Sequence, residues 1–191
     1  MLVLVLGIVV FLGIHSLPMF HETRAQLIER FGLGPFKAVY SLVALIGFGL
    51  IVWGFHLYRE EGMIVVWTPP DWMRHVTILL MWFAFVALAC MNPSPSLIRG
   101  WLRHPMLVAI KIWALAHLLI NGDAGGMLLF GSFLAWAVFD RIALKNRGDL
   151  GAPRIKSFIG ADALALGLGT VGYVAMIMLH PILIGVSVIG S

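Results

Sequence analysis

The sequence predicts an all-α fold, a polytopic membrane bundle of about six transmembrane helices in one domain over residues 1–191. Three observations carry this. Of 191 residues, 61% are hydrophobic and only 12% charged, against about 25% charged in an ordinary soluble domain. The apolar residues fall in runs of about 20, the length that crosses a hydrocarbon core of about 30 Å. The Lys and Arg residues gather in alternate loops between those runs, the pattern that sets membrane orientation.

The chain opens directly on an apolar stretch, residues 2–20, with no positive n-region and no small-residue cleavage site, so it reads as a retained first span and not as a leader. This helix is expected to extend past Phe20 to about Arg24. Residues 21–35 form a polar, partly amphipathic connection, with Gly32, Gly34 and Pro35 marking a turn. Span two follows over residues 36–58. A loop over residues 59–70 is broken by Pro69-Pro70, and span three covers residues 72–91. The cluster Asn92-Pro93-Ser94-Pro95-Ser96 is a turn, and residues 97–102 lie at the interface with Trp101 as an anchor.

Span four covers residues 104–120. Pro105 suits a first helical position, where its missing N–H has no partner to lose, and Asn121-Gly122 provides a C-terminal stop. Gly125-Gly126 opens span five, which reaches about Leu144, and residues 146–153 are a polar loop. Span six runs from about Lys156 to His180, where Pro181 kinks or ends it, and the tail stays apolar. Its Gly160, Gly167, Gly169 and Gly172, with alanines at 161, 163 and 165, favour close helix packing in a lipid environment.

Arg24, Arg30, Lys37, Arg99, Arg103, Arg141, Lys145, Arg147, Arg154 and Lys156 share one side of this arrangement, against Arg59 and Arg74 on the other. The imbalance places the first set in the cytoplasm and both termini outside, periplasmic in a bacterial inner membrane. The net charge of +4 therefore reflects topology, and nucleic acid is not an expected partner. The single Cys90 excludes an internal disulfide, a CxxC pair and a Cys-rich zinc site. No HExxH, GxSxG or Walker pattern is present, and no GxGxxG phosphate loop between a strand and a helix.

Chemistry is left to ionisable residues at membrane depth, which are functional candidates by default. Of seven histidines, His15 and His117 are placed deepest, on different spans. Neutral imidazole is a common metal and haem ligand, and two buried histidines from separate helices can hold iron from both faces. The alternative is a pair of packing residues hydrogen-bonded within the bundle. His104 opens the span that carries His117. Thirteen residues separate them, roughly 20 Å along a helix, so the two cannot share one ion. Lys111 either snorkels to the inner surface or pairs with an acidic group, including a haem propionate. Asp140 and Asp162 are expected to cap or pair locally.

These residues carry a resemblance. Gly-Ile-His15-Ser, Arg103-His104-Pro105 and Trp113-Ala-Leu-Ala-His117-Leu-Leu-Ile-Asn121-Gly122-Asp123 resemble the NnrU family of bacterial inner-membrane proteins over nearly the whole chain. That family is similar to the 15-cis-zeta-carotene isomerases, which are membrane haem b proteins. The resemblance implies haem b, with His15 and His117 as iron ligands and His104 as a further residue of the shared motif; Lys111 joins the cofactor-site candidates through its own position, as a partner for a propionate. It associates the chain with nitrite and nitric-oxide metabolism or with redox-dependent isomerisation, and with a nitrogen-oxide or hydrophobic small molecule beside the lipid bilayer. It assigns no catalytic residue. The isomerases have Cys three residues before the ligand; Ala114 stands here, so no thiolate switch carries over. Arg-His-Pro at a helix start also resembles the isoprenylcysteine carboxyl methyltransferases, although Leu107 replaces their Tyr. A third reading is a cofactor-free assembly factor.

Overall fold

A computed structural model describes residues 1–189. Eight α-helices follow in order: α1 (Leu2–Ser16), α2 (His21–Phe31), α3 (Leu33–Glu60), α4 (Met73–Ala89), α5 (Leu97–Leu102), α6 (Pro105–Ile120), α7 (Ala124–Asn146) and α8 (Gly160–Leu183). The all-α class is as the sequence predicts. Among the described residues, six apolar helices stand where the six spans are expected, four of them long and two shorter. Four segments, Leu2–Met19, Leu33–Glu60, Ala124–Asn146 and Gly160–Leu183, are long and apolar enough to cross a membrane. α4 and α6 are equally apolar in character but hold 17 and 16 residues, about 24–26 Å of helix against a core of about 30 Å.

Three boundaries also differ from expectation. The first helix does not continue to Arg24. It tightens into a 3₁₀ turn at Leu17–Met19, where Pro18 occupies an early position, and Phe20 (φ −95°, ψ 76°) breaks the ladder before α2. The turn into α3 sits at Gly32 alone (φ 83°), a conformation that needs glycine; Gly34 and Pro35 already lie in the helix. Pro181 does not end α8, which runs on to Leu183. Being close to the C-terminus, Pro181 forfeits one backbone bond without breaking the helix.

The chain forms two compact units. The first comprises residues 1–68 and 121–144. Its centre is the antiparallel pair α1–α3, in which backbones touch through glycine. A Cβ on Gly7 would stand 2.5 Å from the Ile51 amide nitrogen, one on Gly47 2.7 Å from that of Phe11, and one on Gly54 would overlap the Leu4 backbone. Leu4, Ile8 and Ile51 form the core there, with Leu129 and Phe133 of α7 packed against it. Asp123 starts α7 by accepting the Gly126 N–H at 2.7 Å, an N-cap. The preceding residues clasp the α3–α4 connection: Val66 and Trp67 donate to the Gly122 carbonyl, Ala124 donates to that of Ile64, and the Ile64 N–H donates to the Tyr58 hydroxyl at 2.9 Å.

The second unit comprises residues 69–120 and 145–189 of the described chain. α4 is its middle helix. Thr77 Oγ1 donates to the Ala116 carbonyl of α6 at 3.0 Å, and Trp82 Nε1 donates to Thr170 Oγ1 of α8 at 3.0 Å. Gly169 lets α8 approach the Val86 backbone. Asp162, fully buried, joins two helix starts: its carboxylate accepts from Leu97 and Ile98 of α5 and from Ile159 ahead of α8. The tail after α8 is tied back by His180 Nδ1 to the Val186 carbonyl and by the Arg74 guanidinium to that of Val188.

Candidate functional site

His15 sits in the last turn of α1, in the first unit. Its Nδ1 lies 2.7 Å from the Phe11 carbonyl. A carbonyl can only accept, so Nδ1 carries a proton and Nε2 is the nitrogen left to act as a ligand, the arrangement that orients a ligating histidine. The ring stacks on Phe11 with centroids 4.1 Å apart, and meets Tyr40 and Trp136 edge-on at 5.6 and 6.3 Å. Three aromatic side chains from three helices therefore set its plane.

His117 lies in the second unit, three residues before the end of α6. It repeats the device: Nδ1 is 2.8 Å from the Trp113 carbonyl, and the Trp113 ring leans on the imidazole at 5.4 Å. In both helices an aromatic residue four positions earlier supplies the carbonyl and a ring contact. Phe11 and Trp113 stand out in the sequence only as apolar neighbours; the i, i−4 spacing is the signal that connects them to the histidines.

The other two candidates share α6 with His117 without joining it. α6 is unbroken from Pro105 to Ile120, which keeps His104 roughly 20 Å from His117. Lys111 is partly buried and lies about 9 Å along the helix from His117. Among the described residues, no group of three or more His, Cys, Asp or Glu is placed to hold a metal ion.

His104 has its own surroundings, which the sequence does not reveal. The His104 N–H donates to the Leu102 carbonyl at 2.7 Å, and Arg103 between them has φ 63° and ψ −58°. This is a γ-turn of the rare, strained hand, costing of the order of 1–3 kcal/mol. Ala152 holds it from both sides, donating its N–H to the Arg103 carbonyl at 2.8 Å and accepting from Arg103 Nη1 at 3.2 Å. Gly151 (φ 70°) fits where a Cβ would stand 2.8 Å from His104 Nε2. That Nε2 is buried without a hydrogen-bond partner.

A family model described as NnrU protein matches residues 3–188. The chain belongs to the NnrU family. The match runs through both units and includes His15, His104, Lys111 and His117. Comparison with curated proteins and with solved structures finds no match.

As a test of fit to haem, the donor set of this NnrU chain is suitable. In both His15 and His117 the Nδ1–H is committed to a backbone carbonyl, which leaves Nε2 as the ring nitrogen that would ligate iron. α7, whose Trp136 meets the His15 ring edge-on, also carries two buried donors without acceptors among the described residues, Trp136 Nε1 and Arg141 Nη1. Buried polar groups in native proteins are nearly all paired, and an orphan needs an explanation. A bound group with carboxylates supplies one.

Proposed function

We propose that this NnrU protein is a haem b-binding protein of the bacterial inner membrane, with His15 and His117 as the iron ligands. The observation that supports this most is the shared local device: Phe11–His15 and Trp113–His117 each fix an imidazole by an Nδ1–H bond to the i−4 carbonyl and a ring contact. With α1 ending at Ser16, support for the assignment comes from these surroundings and the family resemblance and not from an extended first helix. Lys111, Trp136 and Arg141 are the residues proposed to meet the propionates, and His104 a group lining the cofactor side. Bound haem supplies an iron centre that changes redox state and coordinates a small molecule, which suits nitrite and nitric-oxide metabolism or an isomerase-like reaction. The protein's part is to hold the rings in one tautomer and exclude water around them. Both termini are proposed to be periplasmic.

Visible spectroscopy of protein purified from cells with ample haem tests this. A Soret band and a low-spin spectrum are expected. His15→Ala and His117→Ala should each give a high-spin spectrum or lose the haem. His56→Ala should change nothing, because His56 is exposed and pairs with Glu60 at 3.3 Å. Absence of haem in the wild type, or unchanged spectra in both variants, overturns the assignment.

One observation favours a second reading. The strained Arg103 turn and the buried, unpartnered His104 Nε2 mark the Arg-His-Pro corner as a ligand site in its own right, as in a methyltransferase-like enzyme. Calorimetric titration with S-adenosylmethionine separates the two, since only the second reading expects binding that Arg103→Ala abolishes.

A further inference from the structure

We propose that α5 and the loop beside it form a binding site for the phosphate of an anionic phospholipid. The proposal rests on the apolar helices lying in a membrane and is independent of haem.

The site is built by backbone contacts within the second unit. The Ala152 N–H donates to the Arg103 carbonyl at 2.8 Å. A Cβ on Gly100 would stand 2.7 Å from the Pro153 carbonyl oxygen and 3.0 Å from the Arg154 Cα. Residues 152–154 are therefore laid along α5, and glycine at 100 is what permits the approach. This brings the segments that carry Arg99, Arg103, Arg154 and Lys156 next to one another. None of the four forms an ion pair among the described residues. Arg99 and Arg103 are turned partly to the backbone, with Arg99 Nη1 donating to the Pro93 carbonyl and Arg103 Nη1 to that of Ala152. Arg99 Nε is buried without a partner, and Arg154 and Lys156 are exposed.

The nearby carboxylates do not neutralise the patch. Asp162 is 0% exposed and committed to three backbone N–H groups. Asp149 is turned to the Gly151 N–H at 2.8 Å. Cations that neither carboxylate pairs with directly can still attract an anion.

The surroundings decide which anion. Large apolar side chains stand exposed among the charges: Trp101 at 66%, Leu150 at 72% and Phe158 at 56%. A soluble phosphate has no use for them. At the boundary between headgroups and acyl chains they act as anchors. The patch also lies where α6 and α8 begin, at Pro105 and Gly160, so cations and apolar helix starts occur at one level.

The test is native mass spectrometry of the full-length protein in detergent. It is titrated with phosphatidylglycerol, with phosphatidylcholine of the same acyl chains, or with glycerol 3-phosphate. Phosphatidylglycerol should bind in preference to phosphatidylcholine, and glycerol 3-phosphate should not compete at matched concentration. Each exposed cation near an anionic lipid contributes about fivefold in affinity, so R154Q/K156Q should weaken phosphatidylglycerol binding by about 25-fold. Arg30→Gln, on α2, should leave it unchanged. The preference should also decline with added salt in the wild type. Equal binding of the two lipids, wild-type preference in R154Q/K156Q, a salt-independent preference, or competition by glycerol 3-phosphate would each overturn the proposal.

Discussion

Replacing Asp162 by Ala removes one carboxylate that serves two helix starts. The lost bonds are to Leu97 N at 3.1 Å, Ile98 N at 2.8 Å and Ile159 N at 3.0 Å. Ser96, the N-cap of α5, keeps its own bond from the Arg99 N–H, so what is lost is the acceptor of the first two α5 N–H groups and the N3 side-chain bond at the start of α8, about 0.5–2 kcal/mol at each helix. Because the residue is fully buried, the freed N–H groups cannot all reach water, which adds about 1–3 kcal/mol for a donor left unmet. Against this, the carboxylate no longer has to be kept out of water, which returns part of the loss. A net destabilisation of about 4 kcal/mol follows, a fall in Tm of about 10 °C for a chain of this size. Asp162→Asn keeps one carbonyl oxygen as acceptor and should lose about half as much. Thermal unfolding in detergent micelles, followed by circular dichroism, reads both. Since Asp162 fixes the start of α5, Asp162→Ala should also blunt the preference for phosphatidylglycerol. A Tm within about 2 °C of wild type for Asp162→Ala, less than 1 kcal/mol, would refute the shared role at two helix starts.

Two further outcomes are expected. Gly7→Ala and Gly54→Ala force a methyl group into the backbone of the facing helix and should each destabilise the first unit by about 1–3 kcal/mol; Gly49→Ala, whose Cβ meets nothing within 4 Å, should be neutral or slightly stabilising, and equal losses at all three would remove glycine contact as the basis of α1–α3 packing. Reporter fusions at Asn92 and Asn146 should read cytoplasmic, and a periplasmic signal at either would contradict the orientation drawn from the Lys and Arg distribution.

The sequence by itself determined the apolar helices and most of their limits. Whether a stretch is apolar enough for lipid is a property of consecutive residues, so Pro105 at the start of α6 and Ile120 before Asn121-Gly122 at its end were legible. The histidines were legible as candidates for the same reason, since a polar residue inside an apolar run costs energy wherever the run is placed. Tertiary structure alone decided which glycines do the packing. The glycine-rich look of α8 draws attention, yet Gly160 and Gly167 meet nothing within 4 Å, while the closest backbone approach in the first unit falls to Gly7, Gly47 and Gly54. It also decided that Asp162 serves a helix start 65 residues away as well as its own, and that Ala152 and Gly151 hold a strained Arg103. These features depend on which segments meet, and a carboxylate, a glycine or a carbonyl has no sequence pattern that names its distant partner. The end of α1 at Ser16 was hidden in another way. Apolar residues continue to Phe20, and only the backbone hydrogen bonds show where the helix stops.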